Sequence, residues 1–214
     1  MAIDIPSDYY LGLFGCCKNA VIKNVIVYGY VTGNGYFVSG IVGCTYNTTI
    51  TNSINLGNII GNGYFVSGIV GYTYDSTTIT NSVNLGNIAG NGFFIGGVAG
   101  CTNDGTTITN SINSGNIAGN SYIGGIAGAA YNTIVTNSIN SGNIAGNENI
   151  GGVTGYVHTT TIITNSASAG FVKGNRNIGG VTGYNYDGII ENSFNNGVIE
   201  GQAGTTGGIS GSAD

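Results

Sequence analysis

Residues 77–91 read TTITNSVNLGNIAGN, and residues 106–120 read TTITNSINSGNIAGN. A chain that writes nearly the same segment twice, 29 positions apart, must place both copies in equivalent surroundings. The repeat extends throughout. Glycines at the centre of a Gly-Gly-Ile/Val-x-Gly pattern or its equivalent fall at Gly12, Gly40, Gly68, Gly97, Gly125, Gly152, Gly180 and Gly208, at intervals of 28, 28, 29, 28, 27, 28 and 28. Periods of 20–50 residues mark solenoids, propellers and arrays, in which each unit buries its apolar face against the next.

Where the period varies is informative. From Asn24, Asn52, Asn81, Asn110, Asn137, Asn165 and Asn192 to the glycine of the following Gly-Asn pair or its equivalent, the distance is 9 in all seven copies. The other two intervals each vary by one residue. A one-residue slip in a strand turns every side chain to the opposite face, whereas loops absorb it. Each unit is rich in Gly and β-branched residues, so helices are implausible. In TTITNSVN, period two places Thr77, Ile79, Asn81 and Val83 on one face, read as inward. Apolar columns recur at Ile54, Val83, Ile112, Ile139, Ala167 and Phe194, at Ile59, Ile88, Ile117, Ile144, Val172 and Ile199, and at Ile41, Ile69, Val98, Ile126, Val153, Val181 and Ile209. Gly57, Gly86, Gly115, Gly142, Gly170 and Gly197 supply a bend between the first two columns through left-handed backbone angles. The prediction is an all-β, parallel β-solenoid of seven to eight coils, about 28 residues and three short strands per coil, right-handed as parallel crossovers generally are. Residues 1–214 form a single repeat domain, expected to be a fragment of a longer array. A propeller blade needs about 40–50 residues, so this unit is too short for one.

Charged residues make up 6% of the chain, and its four basic side chains, Lys18, Lys23, Lys173 and Arg176, do not form a phosphate-tracking surface, which excludes nucleic acid as a partner. No apolar run reaches the length of a membrane helix, so no membrane insertion is expected. The first residues lack the basic and apolar regions of a signal peptide. A hydrophobic fraction of 41% argues against disorder.

The Gly-Leu-Phe-Gly of Gly12–Gly15, later forms such as GGIAG at 124–128, and the following IKNVIVYGYVTG at 22–33 together resemble the GLUG-motif repeat. That repeat belongs to bacterial secreted and cell-surface proteins, including some IgA-cleaving metallopeptidases. The resemblance covers nearly the whole chain, with Ile or Val where Leu is usual. It implies an extracellular, non-catalytic repeat region; the leading expectation for the chain itself is a structural or adhesive surface stalk. It brings no known ligand, and the HExxH of a metallopeptidase is absent.

The residues themselves point to no catalytic, metal or cofactor site. His158 is the single histidine and stands in a variable bend, where it reads as a solvated loop residue rather than a zinc ligand or triad base. Asp75, Asp104 and Asp187 occupy one corner as turn formers, too few for calcium. Glycosidase chemistry needs two carboxylates around one site, which leaves a polysaccharide-active solenoid enzyme as a remote alternative. Cys16, Cys44 and Cys101 share one repeat slot. Cys16 and Cys44 stack at disulfide spacing, but side chains that point alike favour free thiols.

Three columns are candidates for structure or binding. Asn52, Asn81, Asn110, Asn137, Asn165 and Asn192 are expected to form a buried amide ladder. Thr49, Thr51, Thr78, Thr80, Thr107 and Thr109 form an outward Thr-x-Thr face similar to those of ice-binding solenoids, the alternative being that Thr simply suits an exposed strand. Tyr36, Tyr64, Phe93 and Tyr122, with Phe37, Phe65 and Phe94 beside them, form an aromatic corner that either holds host or environmental glycans or proteins or covers the core. Neither terminal coil carries a polar cap, so end-to-end stacking of copies is also expected.

Overall fold

A computed structural model describes residues 2–4, 9–202 and 205–213. It is all β among these residues, and every strand pairing is parallel and joins a coil to its immediate neighbour. Five ladders run the length of the stack. One coil samples them in order: the first through Val70–Thr73, the second through Thr78–Thr80, the third through Val83–Asn84, the fourth through Ile88–Ala89 and the fifth through Phe94–Gly96. They contain eight, seven, seven, eight and eight strands. The chain is therefore a parallel β-solenoid of the expected period.

Five ladders replace the three strands expected per coil, because two of the expected strands are broken. The Gly96-Gly97 region separates the fifth ladder from the first strand of the next coil, Ala99–Thr102. The second break is at the asparagine column. Asn52, Asn81, Asn110, Asn137, Asn165 and Asn192 have φ of 51, 51, 50, 51, 50 and 46°, and all are exposed. Asn is among the few non-glycine residues that adopt left-handed angles readily. The column is thus a solvent-facing corner and not the buried ladder expected. Some of its amides still bond along the stack, Asn81 Nδ2 donating to Asn52 Oδ1 at 3.2 Å.

The corner resets the alternation of faces. Before it, Thr77 and Ile79 are buried; after it, Ser82 and Asn84 are buried and Val83 turns outward. The column Ile54, Val83, Ile112, Ile139, Ala167 and Phe194, expected inside, is consequently half or fully exposed. The other two apolar columns are buried through most of the stack, with Ile199 half-buried and Ile209 exposed towards the C-terminal end.

The buried amide ladder lies three residues further on. Asn55, Asn84, Asn113 and Asn140 are fully buried. Each Nδ2 of the first three donates to the Oδ1 of the next coil's asparagine, at 2.8, 2.7 and 2.7 Å. Each of the four also donates to the carbonyl two residues on, that of Gly57, Gly86, Gly115 or Gly142, at 2.8 to 2.9 Å. Asn55 Oδ1 instead accepts from Gly57 N at 3.1 Å, since the preceding coil has Val27 at that register. Both amide hydrogens are satisfied without water, which removes the penalty of burying them.

The central glycines exist for this ladder. A Cβ on Gly68, Gly97 or Gly125 would strike the side chain of Asn84, Asn113 or Asn140. The bend glycines are needed for close approach rather than for left-handed angles: a Cβ on Gly86 would collide with the Gly57 carbonyl one coil away, and neither residue has positive φ. Asparagine and glycine together form a waist. On one side is the aliphatic core containing Ile41, Ile50, Ile69 and Ile79, and on the other that containing Val38, Ile59, Val66 and Ile88. The chain crosses between these cores at Gly40 on one wall and Asn55 on the other, where the two residues meet.

Cys16 and Cys44 are disulfide-bonded, contrary to the free thiols expected. They are register partners with Cα atoms 4.6 Å apart, so the spacing between coils is itself within disulfide reach, and the side chains need only lean along the stack. Cys17 and Cys101 are free.

Two stability predictions follow from these contacts. Asn113→Leu removes partners of both Asn84 and Asn140 and should destabilise by about 2–4 kcal/mol, from two buried polar groups at about 1–2 each. Asn110→Gly, at a left-handed corner, should stay within about 1 kcal/mol of the parent. Equal melting temperatures for the two variants would contradict the assignment of the buried column. Reducing the Cys16–Cys44 bond, which closes a separation of 28 residues, should cost about 3 kcal/mol and lower the melting temperature.

Candidate binding faces

The second ladder presents the threonines. Thr78 pairs with Thr49 and Thr107, and Thr80 with Thr51 and Thr109, in unbroken register. Ile50, Ile79 and Ile108 between them are fully buried, which leaves both threonine rows pointing out. The row through Thr51 continues as Thr136 and Thr164 before Glu191, whereas the row through Thr49 continues as Ile134, Ile162 and Ile189. Around the asparagine corner runs an outward row of half-buried Ile54 and Val83 and exposed Ile112 and Ile139. This side of the molecule thus carries hydroxyl-and-methyl rows beside an aliphatic row. Sequence reasoning missed the aliphatic row because period two, carried straight through Asn81, puts it inside. A recurrent Asn within an alternating strand was the available signal of a corner.

The aromatic corner consists of two stacks. The outer is Tyr9, Tyr36, Tyr64 and Phe93, with centroids 5.2, 5.2 and 5.1 Å apart and planes within 4, 2 and 18° of parallel. The inner is Tyr10, Phe37, Phe65 and Phe94, continued by Tyr122 at 5.0 Å from Phe94. Tyr122 therefore leaves the column of Tyr36, Tyr64 and Phe93 in which it was expected. The loop from Gly119 to Gly125 is one residue shorter than that from Gly90 to Gly97, and the outer aromatic position is the one lost. Within the outer stack the rings cover one another's faces and present edges to solvent. A sugar ring stacks on a free aromatic face, so this geometry favours the structural reading for the outer column. Alongside it runs an exposed amide row, Asn62 Nδ2 donating to Asn34 Oδ1 at 2.9 Å and Asn91 Nδ2 to Asn62 Oδ1 at 3.3 Å.

His158 is half-buried rather than freely solvated. Its ring lies 5.3 Å from that of Tyr131 and 5.1 Å from that of Tyr186, and its Nδ1 is 2.9 Å from the Thr159 hydroxyl. Asp104 and Asp187 have φ of 42 and 58°, as turn formers do. Among the described residues, no three His, Cys, Asp or Glu side chains are grouped as a metal site, and no helix is long and apolar enough to cross a membrane.

Five parallel ladders, a repeating glycine pinch and a repeating asparagine waist define a β-solenoid repeat protein. The family model for the GLUG motif matches residues 174–200, one unit of the stack, and the strand register carries the same unit through the preceding coils. The match covers that one unit; what holds for the whole stack is the β-solenoid fold. No curated protein matches it.

The tyrosines give the fold an alkaline limit. Burial, with the Cys101 thiol adding, pushes the Tyr72 phenol from 10.0 up to about 12, and burial also raises Tyr74 and Tyr131. Below pH 10.0 these phenols are neutral in both states. Between 10.0 and about 12 the unfolded chain ionises Tyr72 while the folded chain keeps it neutral, so its contribution to stability falls as pH rises through that window. Thermal melts across it should show Tyr72→Phe losing less stability than the parent. A parallel decline would place Tyr72 in water.

Proposed function

We propose that this chain is a non-catalytic, extracellular structural module: a stiff stalk whose repeats set length and whose side faces adhere to partners. The observation that carries this reading is the register of five ladders around a waist whose amides are hydrogen-bonded from Asn55 to Asn140, which leaves little freedom to bend between those coils. Two further points support it. The Cys16–Cys44 disulfide suits an oxidising compartment, and the GLUG resemblance implies a secreted or cell-surface setting. The adhesive surface is the face made by the threonine rows and the Ile54, Val83, Ile112 and Ile139 row, because it is flat, nearly uncharged and partly apolar. Its partners are host or environmental glycans or proteins.

A second reading is ice binding, favoured by one observation: five threonines in line, Thr51, Thr80, Thr109, Thr136 and Thr164. One set of measurements separates the two. Glycan and protein arrays probed with the isolated chain should retain it, and Thr51→Lys with Thr80→Lys and Thr109→Lys should abolish retention by more than tenfold while leaving the melt unchanged. Thermal hysteresis in the parent, lost in the same variant, would instead establish ice as the ligand. No retention on any array and no hysteresis would leave a passive spacer and overturn the adhesive part.

A further inference from the structure

One column of the first ladder is interrupted. Register partners along it are Cys16, Cys44, Tyr72, Cys101, Ala129, Tyr156 and Tyr184. Where tyrosine is present it lies across the inner aromatic stack: Tyr72 meets Phe65 edge-on at 4.7 Å and 66°, and Tyr156 meets Tyr122 at 5.7 Å and 88°. Between them, Cys101 and Ala129 are too short to reach over. Among the described rings, none of this column lies across Phe94, and Phe94 is left half-buried where Phe37 and Phe65 are buried.

The gap is an open cavity of about 230 Å³ lined by Phe65, Tyr72, Phe94, Cys101, Asn103 and Tyr131. Its floor is Cys101, free and 3% exposed, which behaves as a small polarizable hydrophobe. Its rim is polar, with Asn103 Nδ2 donating to the Tyr72 hydroxyl at 3.3 Å. Drug-sized ligands fill cavities of roughly 300–1,000 Å³, so the space suits one ring. Aromatic walls on several sides favour a flat π-system in edge-on contact over a puckered aliphatic or sugar ring.

We propose that this notch is a binding site for a single phenol-type ring, which takes the place of the tyrosine missing from the column. The ring enters between Tyr72 and Tyr131, completes the edge-on packing over Phe94, and directs its hydroxyl to the Asn103 and Tyr72 rim. The proposal is independent of whether the solenoid is adhesive, because it concerns a different face from the threonine rows.

The test uses p-cresol, the tyrosine side chain as a free molecule, followed by calorimetry and by chemical-shift perturbation on the whole chain. p-Cresol should bind saturably at one site per chain, with shifts centred on residues 65–72, 94, 101–103 and 131. Cyclohexanol and methyl glucoside should bind at least tenfold more weakly. Cys101→Tyr restores the residue this column uses elsewhere. It should fold with an equal or higher melting temperature and lose p-cresol binding by at least tenfold; Ala129→Tyr, which fills the notch from the adjacent coil, is the second variant should the first fail to fold. Absence of saturable p-cresol binding, equal binding of the glucoside, or binding retained in a folded filled variant would each overturn the proposal.

Discussion

Where the waist carries asparagine, an amide lying on a glycine sets the cross-section of the coil. The amide must reach forward to a carbonyl two residues on and upward to the next amide, and both demands are met only if opposing walls stay at a fixed separation. The segment from the corner asparagine to the Gly-Asn glycine contains this position, and its length is 9 in every copy, including those with Val27 or Ser168 there. The loops that gain or lose a residue lie outside it. The apolar cores on either side of the waist then need only repeat Ile or Val at matching heights, because the polar seam between them already holds the register.

Much of this was legible in the sequence. Period, strand content, parallel stacking and two of the three apolar columns follow from spacing and residue type alone. Apart from the strand count, the Cys16–Cys44 bond and the column of Tyr122, what failed was face assignment at one point. Alternation read straight through Asn81 predicts Asn81 and Val83 inside, whereas the left-handed angle at Asn81 turns the chain and puts Ser82 and Asn84 there instead. A backbone dihedral is not a property of a column of letters, and Asn is chemically suited both to a buried ladder and to a left-handed corner. With several asparagines per repeat, both roles are filled, by different columns. The glycine columns misled in the complementary sense: they were read as sources of unusual angles, and their use is to let neighbouring coils touch.

The candidate faces were legible to a similar degree. The threonine rows stand where alternation puts them. The aliphatic row beside them was hidden by the same parity error, and the notch at Cys101 was hidden for another reason. In sequence it is two small residues in a tyrosine column, which looks like ordinary variation. It becomes visible as a notch only when the inner aromatic stack is seen to continue beneath it, uncovered.

The amides of the waist also have a direction. From Asn55 to Asn140 each Nδ2 donates towards the C-terminal end, and the second bond, to the Gly57, Gly86, Gly115 or Gly142 carbonyl, prevents any of them from turning round. The column is a one-way chain, with hydrogen-bond donors leading and acceptors trailing. The chain begins and ends inside the molecule, with Val27 in the coil before Asn55 and Ser168 in the coil after Asn140. The waist that makes one coil rigid is therefore also a vector between those ends.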